Sequence, residues 1–169
     1  MDYVQIREKD LNRAEMMELA TEVVQTVKAV GSRTRVLLNG PVGLAIAAGC
    51  DGVHLPSNLP AAAIALARST VSVVSVSCHD LDEVQTARDQ GATLALFAPV
   101  FEKRLGAEAV SGQGLDALAA ACRAGGLMPV FALGGVTAEN SQECARAGAA
   151  GIAAIRLFAL GDWRGLQAV

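Results

Sequence analysis

The sequence predicts an α/β protein built as a parallel β/α barrel. A unit recurs in which a helical stretch ends at a glycine and an apolar strand follows within a few residues, at 48–55, 90–97 and 147–155. Hydrophobic residues make up 52% of the chain and charged residues 18%, which is typical of parallel strands buried on both faces. The sequence lacks GxGxxG and GxxxxGK[ST], which an open nucleotide-binding sheet usually carries after its first strand. A barrel is therefore favoured over a doubly wound sheet.

Seven short strands are expected, at 3–7, 35–39, 52–55, 72–77, 94–98, 128–133 and 151–155. Helices are expected between most of them. Their starts are marked by Asp10, His79–Asp80 and Thr137, because each offers side-chain acceptors for the free N–H groups of a helix start. The helices before three of the strands are predicted to stop at Gly49, Gly91 and Gly148. Alternating strands and helices imply parallel pairing with right-handed crossovers.

The 169 residues suit one domain, spanning 1–169. A complete barrel has eight strands and commonly about 250 residues. We therefore expect that the first βα unit is missing, so that the barrel is N-terminally truncated and not closed. Two open strand edges invite pairing with another chain, which predicts a homo-oligomer.

Composition points to a cytoplasmic protein. No apolar run approaches the roughly 18 residues that a membrane span needs, and the first residues lack the pattern of a signal peptide. The net charge of −3 offers no basic stripe for nucleic acid. The four cysteines have no metal-binding spacing and are expected to be buried, reduced thiols.

The first strand carries an alternating set of polar side chains, Gln5, Arg7 and Lys9. Alternation along a strand can point all three the same way, so that an amide, a guanidinium and an ammonium meet one anion such as phosphate or pyrophosphate. The alternative is an edge strand that charge protects from aggregation. The pattern by itself does not separate these two interpretations.

Polar residues at the carboxyl ends of other strands are further candidates, because barrels place their reactive groups there. Asn39 can read the edge of a heterocycle or hold the turn that follows it. His54 lies in an apolar strand, where a hydrogen-bonded core histidine is more common than a catalyst. Ser75, Ser77 and His79 alternate out of the fourth strand towards the expected barrel mouth.

The last strands of a barrel commonly form a phosphate site. Gly134–Gly135 ends the sixth predicted strand, where free backbone N–H groups can approach an anion, and Ile155–Arg156 ends the seventh. Lys103 and Arg104 begin a loop that reaches to about Gly114 and is either a lid or a solvated basic segment.

These residues together resemble a known family. The run Tyr3–Leu11 is similar to the pyrophosphate-binding strand of thiamine phosphate synthases, and the chain is identified as a member of the thiamine phosphate synthase/TenI superfamily. Further blocks that resemble the family in order are 37–39, 51–55, 76–79, 99–101, 133–137 and 151–155. The resemblance covers nearly the whole chain.

The resemblance implies a TIM-barrel transferase of thiamine biosynthesis. It would condense hydroxymethylpyrimidine diphosphate with thiazole phosphate, giving thiamine phosphate and pyrophosphate. By the resemblance, the pyrimidine diphosphate is bound by Gln5, Arg7, Lys9, Asn39 and Ser77. The thiazole phosphate is bound by Gly135, Ile155 and Arg156. The catalytic residues would be Arg7, Lys9, Ser77 and Lys103.

The chain departs from the family at several positions. The family uses Mg²⁺, but Gly40 and Asn58 stand where its carboxylates are expected, so the metal ligands stay unidentified. Glu102-Lys103-Arg104 replaces a Thr-x-Thr-Lys lid, and Arg156 replaces a small serine. Two alternatives are therefore kept: a TenI-like thiazole tautomerase, with His79 or Glu102 handling protons, and a non-catalytic phosphate-binding homologue.

Overall fold

The computed structural model describes residues 1–60, 62–105 and 108–166, with the backbone only for 103–105 and 108. The described chain forms two compact units. The first consists of Met1–Val76 and Gln90–Ala92, and the second of Ser77–Asp89 and Thr93–Val169. The predicted single domain over 1–169 stays a prediction.

The first unit is a series of parallel strands and helices. Its strands are β1 (Tyr3–Ile6), β2 (Arg35–Leu38), β3 (Gly52–Leu55) and β4 (Val73–Cys78), the last of which runs on into the second unit. Its helices are α1 (Arg13–Ala29), α2 (Val42–Ala47) and α3 (Ala62–Arg68). Each strand pairs with the next in chain order, and every pairing is parallel. The strands supply much of the core, since every residue of β3 is buried.

The second unit continues the alternation and adds a hairpin. Its strands are β5 (Leu94–Phe97), β6 (Lys103–Leu105), β7 (Glu108–Val110), β8 (Val130–Leu133) and β9 (Gly151–Ala153). Its helices are α4 (Leu81–Asp89), α5 (Leu115–Gly125), α6 (Ser141–Arg146) and α7 (Arg156–Ala159), followed by a 3₁₀ turn at Asp162–Gly165. Strand β8 lies between β5 and β9 with parallel pairing on both sides, whereas β6 and β7 pair antiparallel with each other.

The predicted βα series is confirmed. All seven expected strands are present and pair in parallel within their units. Gly49, Gly91 and Gly148 adopt positive φ angles of 75°, 78° and 98° directly after helices, as a left-handed stop requires. Several strands are shorter than expected: the first ends at Ile6 and the seventh at Ala153.

The start of α1 differs from the prediction. Asn12, and not Asp10, is the N-cap: its Oδ1 accepts hydrogen bonds from the N–H groups of Ala14 at 2.9 Å and Glu15 at 3.1 Å. Glu15 Oε2 in turn accepts from Asn12 N at 2.8 Å. This reciprocal capping box satisfies more backbone groups than a cap at Asp10 could.

The other two predicted helix starts, at α4 and α6, have different outcomes. At α4 the prediction is confirmed, since Asp80 Oδ1 accepts from Glu83 N at 2.8 Å. At α6 the helix begins later than predicted, because its N-cap is Asn140 and not Thr137. Thr137 Oγ1 does accept from Asn140 N at 3.4 Å, and Thr137 N donates to Asn140 Oδ1 at 2.8 Å, so the chain makes a further turn before the helix begins.

The segment 102–114 contains the hairpin β6–β7, which the prediction of a loop missed. Lys103 pairs with Val110 and Leu105 with Glu108, so that these two short strands use each other as hydrogen-bonding partners. None of the helices in the described ranges is long and apolar enough to cross a membrane.

Candidate functional site

A row of polar residues lies at one level across the strands of the first unit. Ile6 pairs with Leu38 and Leu38 with Val53, so the residues one step further along these strands are Arg7, Asn39 and His54. His54 in turn pairs with Ser75 on β4. A hydrogen bond of 2.9 Å from Asn39 N to Ile6 O closes the pairing of β1 with β2 at this level. We call Arg7, Asn39, His54 and Ser75 the polar row.

The inner end of the polar row is buried and neutral. His54 Nδ1 lies 2.9 Å from Ser75 Oγ, and both side chains are buried. Burial, and secondarily the positive charge of Arg7, lowers the pKa of His54 to about 4. His54 is therefore a neutral imidazole at physiological pH, and Arg7, which is exposed, supplies the positive charge of the row.

Only part of the predicted anion-binding set lies on the first strand. Gln5 lies within β1 and is half-buried, and Arg7 follows the strand end. Lys9 lies in a bend beyond β1 and is exposed, so the alternation of Gln5, Arg7 and Lys9 along one strand is wrong. The two strands end together, since Ile6 pairs with Leu38, the last residue of β2.

In the second unit, Ser77 is half-buried near the carboxyl end of β4. Its neighbour Cys78 is fully buried, and burial, followed by the charges of Glu83 and Asp80, raises the pKa of the Cys78 thiol to about 12. This thiol stays protonated and is no nucleophile. His79 is exposed, and its Nδ1 lies 2.8 Å from the carbonyl oxygen of Ala98.

Gly134 and Gly135 form the turn after β8. Gly135 has φ +67°, and a Cβ atom there would lie 2.5 Å from the carbonyl oxygen of Glu102 and 2.7 Å from Phe101 Cβ. Only glycine fits such a close backbone approach. Asn140 Nδ2 donates to Gly135 O at 3.0 Å and holds the turn.

The residues after β9 lie at the same end of the sheet as this turn, because Leu133 pairs with Ala153. Ile155 and Arg156 do not end the strand as predicted: Ile155 is the N-cap of α7, with 71% of its surface exposed, and Arg156 is the first residue of that helix. The side chain of Lys103, the predicted catalytic lysine, lies outside the described residues.

The residues present do not fit a protein-held magnesium ion. Gly40 has no side chain, and Asn58 is an exposed amide, whereas Mg²⁺ prefers carboxylates. Over the described ranges, no group of three or more His, Cys, Asp and Glu side chains could hold a metal. No chemical step is therefore assigned to a metal that this chain binds.

Two features of the site were not predicted from the sequence. The pairing of His54 with Ser75 joins residues 21 positions apart, and no local pattern indicates such register. Gln113, whose Nε2 donates to Ala98 O at 3.0 Å, also carried no signal, since a single glutamine in a glycine-rich loop is typical of solvent-exposed segments.

The family model described as thiamine monophosphate synthase matches residues 1–158. The chain belongs to this family. A putative thiamine-phosphate synthase of Geobacter sulfurreducens is 39% identical over 153 residues, which is 90% of this chain and 70% of that protein. The thiamine-phosphate synthase of Chloroflexus aurantiacus is 33% identical over 162 residues, covering 94% of this chain and 72% of that protein.

Solved structures agree with this assignment. The thiamine phosphate pyrophosphorylase of Pyrococcus furiosus superposes with a TM-score of 0.75 at 25% identity, covering 90% of this chain and 71% of that one. A 3-hexulose-6-phosphate synthase superposes with a TM-score of 0.69 at 19% identity, covering 95% and 81%, and shows the fold only. The predicted family, barrel-type fold class and transferase-type enzyme class are confirmed. The relatives named here are synthases and do not favour the tautomerase or the non-catalytic homologue.

Proposed function

We propose that the protein is a thiamine-phosphate synthase. It joins hydroxymethylpyrimidine diphosphate to thiazole phosphate: the bond from the pyrimidine methylene carbon to the diphosphate oxygen breaks, with its electron pair leaving on pyrophosphate. The ring nitrogen of the thiazole then bonds to that carbon. The observation that carries this proposal is the polar row, which places Arg7 and Asn39 directly after the paired strands β1 and β2 of a confirmed family member.

The groups of the first unit suit the diphosphate. Arg7 can offer a bidentate, charge-assisted contact to phosphate oxygens, and Lys9 in the following bend adds a second cation. Gln5 and Asn39 supply amides to the same ligand. Because negative charge grows on the leaving group, fixed cations that meet it there lower the barrier. Ser77 and Lys103, by the family resemblance, complete the proposed catalytic set.

The groups of the second unit suit the thiazole phosphate. The backbone at Gly135 has no side chain to keep an anion away, and the backbone at Ile155 lies at the same end of the sheet. Arg156, exposed at the start of α7, adds a positive charge that a serine would not supply. We assign this phosphate to Gly135, Ile155 and Arg156.

The proposed partners are these two small phosphorylated molecules. Nucleic acid and membranes are not among them, in keeping with the net charge of −3. None of Cys50, Cys78, Cys122 and Cys144 forms a disulfide, which supports a reducing, cytoplasmic setting. We also propose that the chain associates into a homo-oligomer.

The test is to incubate the purified protein with both phosphorylated precursors and to follow thiamine phosphate by chromatography. Parallel reactions contain magnesium or a chelator, because Gly40 and Asn58 supply no carboxylate for a metal. We expect product in at least one of the two conditions. Absence of product in both would overturn the proposal.

A further inference from the structure

One backbone carbonyl in the second unit accepts two side-chain hydrogen bonds. The carbonyl oxygen of Ala98 lies 2.8 Å from His79 Nδ1 and 3.0 Å from Gln113 Nε2. A carbonyl can only accept, so His79 carries a proton on Nδ1. Two side chains from different parts of the chain thus hold the residue that directly follows β5.

This carbonyl lies at the root of the hairpin β6–β7. Gln113 N donates to Pro99 O and Gly114 N donates to Val100 O, both at 2.9 Å. A Cβ atom at Gly112 would lie 2.4 Å from Val100 O, so the two sides of the root are in backbone contact. Residues 98–102 and 112–114 therefore form one closed base, which we call the hairpin root.

The hairpin root also supports the glycine turn after β8. Val100 N donates to Leu133 O and Phe101 N donates to Gly134 O, both at 2.9 Å. A Cβ atom at Gly134 would lie 2.7 Å from Pro99 Cα. The position of the Gly134–Gly135 backbone therefore depends on the position of residues 99–102.

We propose that His79 and Gln113 are positioning residues. By donating together to Ala98 O, they fix the hairpin root, and through it the turn that is proposed to hold the thiazole phosphate. Neither side chain need touch substrate. The kinetic part of this inference rests on the proposed function, whereas the structural part does not.

His79 offers a matched pair of variants. In His79→Asn the amide nitrogen takes the place of Nδ1 and can still donate to Ala98 O, whereas in His79→Gln it takes the place of Nε2 and cannot. Gln113→Ala removes the second donor. Gln85→Ala, at an exposed glutamine on α4, is the control for loss of a surface amide.

Trypsin provides a readout that does not depend on enzyme activity. Cleavage after Lys103 and Arg104 requires the hairpin to open, and its rate follows the population of the open form. We expect His79→Gln and Gln113→Ala to raise the cleavage rate about tenfold, which corresponds to loss of one hydrogen bond. His79→Asn and Gln85→Ala should be cut like the wild type. Equal cleavage of His79→Asn and His79→Gln would overturn the proposal.

Steady-state kinetics provide the second readout. His79→Gln and Gln113→Ala should raise KM for the thiazole phosphate by up to about tenfold and change KM for the pyrimidine diphosphate less. General destabilisation would not separate the two precursors, so an equal change in both KM values would contradict a positioning role. A wild type that makes no thiamine phosphate would overturn the proposed function, and the trypsin comparison would still decide the roles of His79 and Gln113.

Discussion

His54 Nδ1 on β3 and Ser75 Oγ on the paired strand β4 lie 2.9 Å apart, and both side chains are buried. Burial and the neighbouring charge of Arg7 keep the imidazole neutral, with a pKa of about 4. The hydrogen bond gives a buried polar side chain the partner that it needs. The site of the first unit thus combines a fixed neutral imidazole with the exposed cation Arg7.

This pair predicts a loss of stability in acid. The unfolded chain protonates His54 near pH 6.5 and the folded chain only near pH 4, so the unfolded state binds more protons between these values and stability falls as pH falls. One pH unit is worth about 1.4 kcal/mol, so protonation of His54 in the unfolded chain should lower the free energy of unfolding by as much as roughly 3 kcal/mol as the pH falls. Urea unfolding at pH 7, 6, 5 and 4.5 measures this decrease.

His54→Asn removes the titrating group and leaves the carboxylates of the chain in place. The variant should lose less stability than the wild type between pH 6.5 and 4.5. Parallel curves for the two proteins would show that His54 does not carry the effect.

Arg7→Ala should weaken diphosphate binding, because it removes a charge-assisted contact worth roughly 1.5–3 kcal/mol. This corresponds to a loss in affinity of at least about tenfold. Titration calorimetry with inorganic pyrophosphate gives the dissociation constants. Arg33→Ala is the matched control, since Arg33 is exposed and precedes the amino end of β2. Equal affinity of the Arg7 and Arg33 variants would reject Arg7 as the anion contact.

Gly135→Ala should impair the use of thiazole phosphate. Its Cβ atom would lie 2.5 Å from the carbonyl oxygen of Glu102, so the turn must move. Gly31→Ala is the matched control. Gly31 has a similar positive φ of +64°, but nothing lies within 4 Å of the position that a Cβ atom would take. We expect KM for the thiazole phosphate to rise at least about tenfold in Gly135→Ala only, in line with overpacking costs of about 1–3 kcal/mol. The same KM in both variants would argue against Gly135 as a ligand-binding position.

Much of the fold could be predicted because its signals are local. The glycines Gly49, Gly91 and Gly148 mark the ends of helices by a backbone conformation that other residues avoid, and apolar runs mark the strands. The ends of elements were less predictable. The N-cap is Asn12 and not the predicted Asp10, because Glu15, three residues after Asn12, completes the capping box.

The candidate site was predictable by residue type and less so by geometry. Gln5, Arg7 and Asn39 stood out in the sequence. Arg7 and Asn39 follow the ends of the neighbouring strands β1 and β2, and Gln5 lies within β1. The coupling of Arg7 to His54 and the contact of Gln113 with Ala98 depend on strand register and loop closure. Interactions between distant parts of the chain leave no periodic trace in one sequence.

The most direct test of the proposed reaction is the stoichiometry of its two products. Pyrophosphate and thiamine phosphate are measured in the same reaction, with each precursor omitted in turn. The account predicts that the two products appear in equal amounts and only when both precursors are present. Pyrophosphate or phosphate released from the pyrimidine diphosphate without thiamine phosphate, or no release at all, would contradict it.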